Sequence, residues 1–290
     1  MNTRKLILSP SAAAGACFLL LLAIPAHAQT RRLEKRFVVD GKPVVILHNP
    51  SGRIHVKAWD RNEVVILCQY AGSRVLVDTE QAGNRVEVAT RVAGPSSSPA
   101  DLRADFEITV PTEAELQVRT DSGSVTVESV HGDMSFDTVT ADLALQDVEG
   151  YLAIKSVGGS LVCTRCGGRL DATSISGSFQ LLQPLLHHVR LQTSSGNILF
   201  DGNFLSRGIY VMKNYSGTIE VRFSNQDSFD VRATSLYGLV VNQAPVAPDA
   251  HKMPAPPPGM ARSLVGSVNR GLARVELSSF NGTIKISKRE

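Results

Sequence analysis

Between residues 120 and 182 a small residue recurs every nine positions, at Gly123, Gly132, Ala141, Gly150, Gly159, Gly168 and Gly177. Two residues after each comes an apolar side chain (Val125, Met134, Leu143, Leu152, Leu161, Leu170, Phe179), and two further on usually another (Val127, Phe136, Leu145, Ile154, Cys163, Ala172, Leu181). Apolar alternation marks a strand with one face buried, so each unit predicts a short strand and a corner. With Val130, Val139, Val148, Val157, Cys166 and Ile175 as second positions and the small residue as the fourth, the even positions are expected to face a core. The positions between are mostly Ser, Thr, Asp, Glu, Lys and Arg and are expected to face water. Glycine at the fourth place predicts a corner where a side chain would force an unfavourable φ or crowd the next layer. One unit is too short to close a coil. Two units of about nine residues are expected to make one turn, odd and even units stacking as separate parallel ladders roughly 4.8 Å apart.

The alternation continues less regularly elsewhere. Apolar bursts at 37–39, 44–47, 54–59 and 64–67 are bounded by Asp-Gly, Asn-Pro-Ser-Gly and Asp-Arg-Asn turn sequences, and others follow at 75–77, 86–90, 106–110 and 116–118. Residues 94–99 read as a loop. The Ser-Gly pair returns at 196 and 217, and segments 189–191, 209–211, 229–231 and 239–241 extend the pattern. Residues 244–260 carry six prolines and no apolar period, an excursion before the final strands at 272–277 and 280–286. Residues 287–290 are expected to supply a charged end that blunts an exposed edge. No segment after residue 28 shows the pattern of an amphipathic helix. The expected fold is all-β: a parallel β-solenoid with two roughly nine-residue strand units per coil at 119–290, preceded by an N-terminal β-strand region at 29–118 continuous with it.

Several of these motifs are shared with a known family. Asn49-Pro-Ser-Gly-Arg-Ile-His-Val-Lys-Ala-Trp59, Phe106-Glu-Ile-Thr-Val-Pro111 and the Thr-x-Ser-Gly-x-Val/Ile pattern at 120–127 and 193–200 resemble the bacterial DUF4097 family, labelled adhesins. The resemblance covers roughly residues 37–286. It implies a β-strand-repeat domain at the cell envelope and brings no catalytic residues.

The first residues change the picture of where the chain works. Arg4 and Lys5, the apolar run 17–24 and Ala26-His27-Ala28 form the basic, apolar and small-x-small parts of a secretory signal peptide over 1–28. A retained anchor is disfavoured because the uncharged run is short and Ser9, Pro10 and Ser11 interrupt its extension. A lipoprotein reading of Cys17 fails because the leucine run follows the cysteine. No later segment is long and apolar enough to span a bilayer, so the exported chain is expected to be soluble and not membrane-spanning, in the periplasm, at the cell surface or outside the cell. Removing 1–28 takes two of 30 cations and none of 27 anions, leaving a balance of +1. A total this near neutrality gives no electrostatic case for a nucleic-acid or polyanion partner.

Candidate chemistry is sparse. Cys163 and Cys166 occupy apolar slots of successive units, where packing, with or without a bridge, competes with a redox pair or half a metal site. Only Asp133 and Asp142 follow a repeat's small residue as the aspartates of a calcium-binding nonapeptide would. A polysaccharide lyase or hydrolase on a β-helix needs carboxylates or an arginine gathered in a cleft, and Asp133, Asp137, Asp142, Asp147 and Asp171 are the candidates to test. His187 and His188 are expected on opposite strand faces and supply too few ligands for a metal. Trp59, Tyr151 and Tyr215 are the aromatics to follow, the two tyrosines in outward slots where they could meet sugars or a protein. Asn214 and Asn281 open glycosylation sequons. The leading expectation is therefore a non-enzymatic binding, adhesin-like or scaffolding module for an envelope protein or glycan, with no catalytic, cofactor or metal residues. A carbohydrate-active enzyme and an accessory protein of envelope-stress sensing are the alternatives.

Overall fold

The computed structural model describes residues 30–71, 75–94, 103–248 and 262–289. The described residues are all-β, with most strands paired in parallel and no α-helix among them. Leu152 lies between Met134 and Leu170, and Leu161 between Leu143 and Phe179, each partner eighteen residues away. Two ladders result. One contains Met134–Thr138, Glu149–Ser156, Gly167–Ser174, Leu185–Thr193 and Ile209–Asn214; the other contains Asp142–Gln146, Ser160–Thr164, Ser178–Leu182, Ile198–Asp201 and Thr218–Phe223. Their alternate side chains, among them Met134, Phe136, Leu143, Leu145, Leu152 and Ile154, are buried in one continuous apolar core. Each such side chain contributes about 1.5–3 kcal/mol by leaving water.

Chain order and row order differ at both ends. Val44–Trp59 and Glu115–Glu128 run as long strands in register from Val44 opposite Glu115 to Lys57 opposite Glu128. On its other side Val44–Trp59 pairs with Arg85–Val92 and Ala104–Pro111. Antiparallel strands then cover that end: Val75–Ala82 on Arg85–Val92, Glu63–Ala71 on Ala104–Pro111, and Thr30–Val38 on Glu63–Ala71. At the far end Ser263–Val268 lies antiparallel on Phe229–Ser235. The last strands do not form an edge, contrary to the expectation for residues 287–290. Ala273–Ser279 is inserted between Ile209–Asn214 and Phe229–Ser235, and Thr283–Lys288 between Thr218–Phe223 and Leu239–Asn242. After Asn242 the chain crosses the end of the stack, and Ser263–Val268, not the C-terminus, covers the terminal strand.

The two corners of the repeat differ, which corrects the expectation that every second position faces the core. Val130, Val148 and Cys166 are buried, but Val139, Val157 and Ile175 are 42%, 45% and 58% exposed. Before the buried set, Ser129, Asp147 and Arg165 adopt positive φ of 57°, 53° and 52°, which turns the next side chain inward. Before the exposed set, Thr138 and Ser174 are themselves buried and occupy the inward place. Glycine at the corners answers the crowding argument: a Cβ on Gly150 would collide with the carbonyl of Gly132 in the neighbouring row.

The expected signal peptide, the loop beyond Gly94 and residues 249–260 lie outside the described residues, while Ala247–Pro248 pairs with Ser263–Val268. Cys163 and Cys166 are joined by a disulfide and buried, and Cys68 is free and buried.

Candidate functional site

The candidate carboxylates are dispersed, and Asp133, Asp142, Asp147 and Asp171 are engaged. Asp133 accepts the Tyr151 backbone N–H at 3.2 Å, and Asp142, on the other ladder, accepts the backbone N–H and hydroxyl of Ser160 at 2.8 and 2.7 Å. Asp147 and Arg165 sit eighteen residues apart at equivalent left-handed corner positions and pair through two bonds of 2.5 and 2.6 Å. The Arg165 guanidinium holds the Asp147 carboxyl below its ordinary range. Asp137 lies on an outward position of Met134–Thr138.

Asp171 has the richest surroundings. Arg169 bonds it at 2.8 Å, and Arg190 on the next strand approaches to 3.9 Å. The neighbouring Asp171 carboxylate raises the Tyr151 hydroxyl above its ordinary value, while Arg169 lies over the Tyr151 ring at 5.2 Å. His188 stands opposite Arg169, and burial followed by the Arg169 charge lowers it. These side chains sit side by side on the outer face of parallel strands, with the carboxylate compensated by guanidinium groups. That arrangement provides neither a paired carboxylate nor a cleft to position a glycosidic bond.

The histidine expectation is corrected by a bulge. The register of Gly167–Ser174 with Leu185–Thr193 slips at Gly168/Arg169, so Leu186 and Val189 are buried while both His187 and His188 stay out of the core. Among the described residues no three His, Cys, Asp or Glu side chains gather as a metal site requires.

Sequence reasoning missed two columns at the corner that carries Val139, Val157 and Ile175. The buried one is polar. Ser174, Thr193, Ser235 and Ser279 accept the backbone N–H of the glycine three residues on, at 2.8, 3.2, 3.1 and 2.8 Å. Thr193 and Ser235 also donate to glycine carbonyls of a neighbouring row. The signal was legible as Ser/Thr/Asn three before glycine, and it recurs at Asn49, Thr120 and Asn214. Asn214 is the exception in its bonding: its amide is buried and neither atom has a partner among the described residues.

The second column is apolar and exposed. Val139, Val157 and Ile175 follow one another along the corner, and after the serines at 194 and 195 the column becomes aromatic. Tyr215 stacks on Phe280 with centroids 4.4 Å apart and planes 10° from parallel, and Tyr237 meets Phe280 edge-on at 5.0 Å. Tyr215 and Tyr237 remain 55% and 64% exposed. Beside them a groove of about 450 Å³ is lined by Gln192, Lys213, Tyr215, Leu236 and Phe280. Trp59 instead donates its indole N–H to the Glu63 carbonyl at 2.8 Å and lies under Arg61.

The family profile described as Toastrack DUF4097 matches residues 45–287. No curated protein matches. Among solved structures, a "putative adhesin" from Bacteroides fragilis NCTC 9343 is 10% identical, covers 88% of this chain and 97% of its own, and has a TM-score of 0.45. A "putative cell adhesion protein" from Clostridium sporogenes ATCC 15579 is 12% identical over 89% of this chain and 100% of its own, with a TM-score of 0.30. A third, a "putative adhesin" from Parabacteroides merdae ATCC 43184, is 6% identical over 90% and 97%, with a TM-score of 0.30.

Proposed function

We propose, from the premise that the chain belongs to the DUF4097 (Toastrack) family, that it is an exported, non-enzymatic module that binds a component of the cell envelope through the outer surface of its strand stack. The observation that carries this reading is the exposed corner column ending in Tyr215, Phe280 and Tyr237. Apolar rings left in water beyond a filled core mark an interaction surface. The carboxylates support it from the other side, because each bonded one serves a corner, cross-strand or same-strand contact. The eighteen-residue register supports reading the two ladders as the two sides of a coil built from two nonapeptides, with 29–118 continuous with 119–290. Such a stack presents long, flat columns of side chains, a geometry suited to binding.

The test uses residues 29–290 in co-sedimentation with isolated envelopes. The double variant Tyr215→Ser/Tyr237→Ser should keep the wild-type melting temperature and lose about tenfold or more in binding. Equal binding by the variant removes the ridge from the surface involved. Release of new reducing ends or unsaturated sugars from envelope glycans by the wild type would overturn the non-enzymatic reading. N-terminal sequencing of the exported protein checks cleavage after Ala28.

A further inference from the structure

The near-neutral charge total conceals an uneven distribution. Where Ser263–Val268 covers the far end of the stack, a groove of about 510 Å³ is lined by three arginines, Arg207, Arg232 and Arg274. None of the three has a carboxylate within ion-pair distance among the described residues. The two acids in the same groove are already engaged: Glu276 with Lys213 at 3.5 Å, and Asp230 as acceptor of the Ser267 hydroxyl at 2.7 Å. Register places Arg274 beside Asp230 and Arg232 beside Glu276, so the two guanidiniums spring from adjacent strands at diagonal positions. A strand spacing near 4.8 Å and a rise of roughly 3.3 Å per residue put their Cα atoms about 8 Å apart.

We propose that this groove binds an acidic polysaccharide, with Arg207, Arg232 and Arg274 holding its carboxylate groups; the inference rests on the binding-module reading above. Guanidinium groups present two parallel donors that match a carboxylate, which makes arginine the appropriate residue for a planar anion. Exposed Ile209, opposite Arg274 on the neighbouring strand, and exposed Leu272 line the same groove, giving the apolar ring faces of a sugar something to rest on. Arg190 stands three strands from Arg232, beyond Val211 and Glu276, and faces Asp171 at 3.9 Å, so the cationic site is the groove itself with its three guanidiniums. Several carboxylates carried on one chain are what three such guanidiniums can hold together.

Two other anions fit less well. The groove has no aromatic lining on which unpaired bases could stack, so single-stranded nucleic acid lacks its usual platform. An acidic peptide adding itself as a strand needs a free edge, yet Ser263–Val268 is paired on one side with Phe229–Ser235 and on the other, at Gly266 and Ser267, with Ala247–Pro248.

The experiment is calorimetric titration of residues 29–290 with polygalacturonate, with dextran as the neutral polymer and single-stranded DNA as the non-sugar polyanion. Polygalacturonate should bind, dextran should not, and DNA should bind more weakly. Arg232→Gln/Arg274→Gln should cost about tenfold or more, because each charge-assisted pair is lost. Lys285→Gln on the other ladder, used as the control, should leave affinity unchanged. All these positions are on the surface, and the melting temperature reports that each variant is folded. Absence of polygalacturonate binding, equal binding of dextran or DNA, or an unaffected double variant overturns the proposal. Failure here with envelope binding retained removes the groove and leaves the binding-module reading intact. Loss of envelope binding by the ridge variant, or a glycan-cleaving activity, bears on that reading and not on the groove.

Discussion

Replacing Gly177 by alanine tests the stacking argument directly, because this glycine has no unusual φ to confuse the result. It is buried at a corner, where a Cβ would stand 2.5 Å from the Gly159 carbonyl oxygen and 2.6 Å from the Ser174 hydroxyl. Ordinary contact begins at 3.4 Å, so the neighbouring backbone must retreat by roughly 0.9 Å. The Ser174 hydroxyl accepts the Gly177 N–H at 2.8 Å and cannot move without giving up that buried bond. Overpacking costs about 1–3 kcal/mol and a buried donor left without its acceptor about 1–3 kcal/mol, so Gly177→Ala should destabilise by about 2–6 kcal/mol. Gly83 provides the comparison: its φ is +60° but nothing lies within 4 Å of a Cβ there. Gly83→Ala should cost only the left-handed penalty of about 1 kcal/mol. Urea denaturation followed by circular dichroism orders the two variants. Hydrogen exchange at the amides of 176–179 localises the damage, which matters because stacked rows need not unfold as one unit. A smaller loss for Gly177→Ala than for Gly83→Ala would refute the claim that close approach between rows, and not backbone conformation, selects glycine at this corner.

Four further outcomes follow from buried and half-buried groups. Leu152→Asp places an unpaired carboxylate at a position with no exposure and should cost about 4 kcal/mol or more in thermal or urea unfolding; wild-type stability would reject its inward placement. Tyr210→Phe should cost about 1–3 kcal/mol, because its hydroxyl accepts the Leu205 N–H at 2.8 Å and donates to the Leu186 carbonyl at 2.7 Å, and both would lose their partner. Cys68, whose thiol burial pushes up to about 12, should resist iodoacetamide in the native protein and react once denatured; native labelling would contradict its enclosure. For Asp105, burial raises the carboxyl but hydrogen bonds from Arg103 and the Arg53 backbone outweigh it, so the folded value lies below the unfolded one near about 3.9. Its stabilisation is then full above that unfolded value and disappears as pH falls through the folded one. Arg103→Gln should flatten this part of a stability-against-pH curve.

The inward pairs such as Leu152 and Ile154 were legible in the sequence because a strand's period of two survives inside the period of nine. The second positions were not, because inward or outward direction there depends on the residue before. Asp147 and Arg165 take a left-handed conformation without being glycine, and at Arg165 the residue type gives no warning of it. The insertion of Ala273–Ser279 and Thr283–Lys288 between earlier rows was likewise hidden. Most rows carry the same Ser/Thr/Asn-x-x-Gly corner, with Ala141 in place of glycine after Thr138, so the motif states that a strand stacks but not on which neighbour.

That shared corner also bears on where binding chemistry can reside. Inward places and corner glycines are committed to stacking, which leaves only the outward columns free to vary. In the regular part the outward strand positions hold mostly hydroxyls, amides and charges, and the corner column holds the aliphatic Val139, Val157 and Ile175. From Leu185 onward the intervals lengthen to 19 and 21 residues, as shown by Leu170, Val189 and Tyr210 in successive rows. The additional residues between Asp201 and Ile209 bring Phe204 under Phe200 and Tyr210, with centroid distances of 4.7 and 4.8 Å, and carry Arg207 to the groove. The aromatic end of the corner column and the three arginines lie in this same irregular end. Regular spacing therefore records what the stack requires, and the departures from it after Leu185 are where side chains became available for a partner.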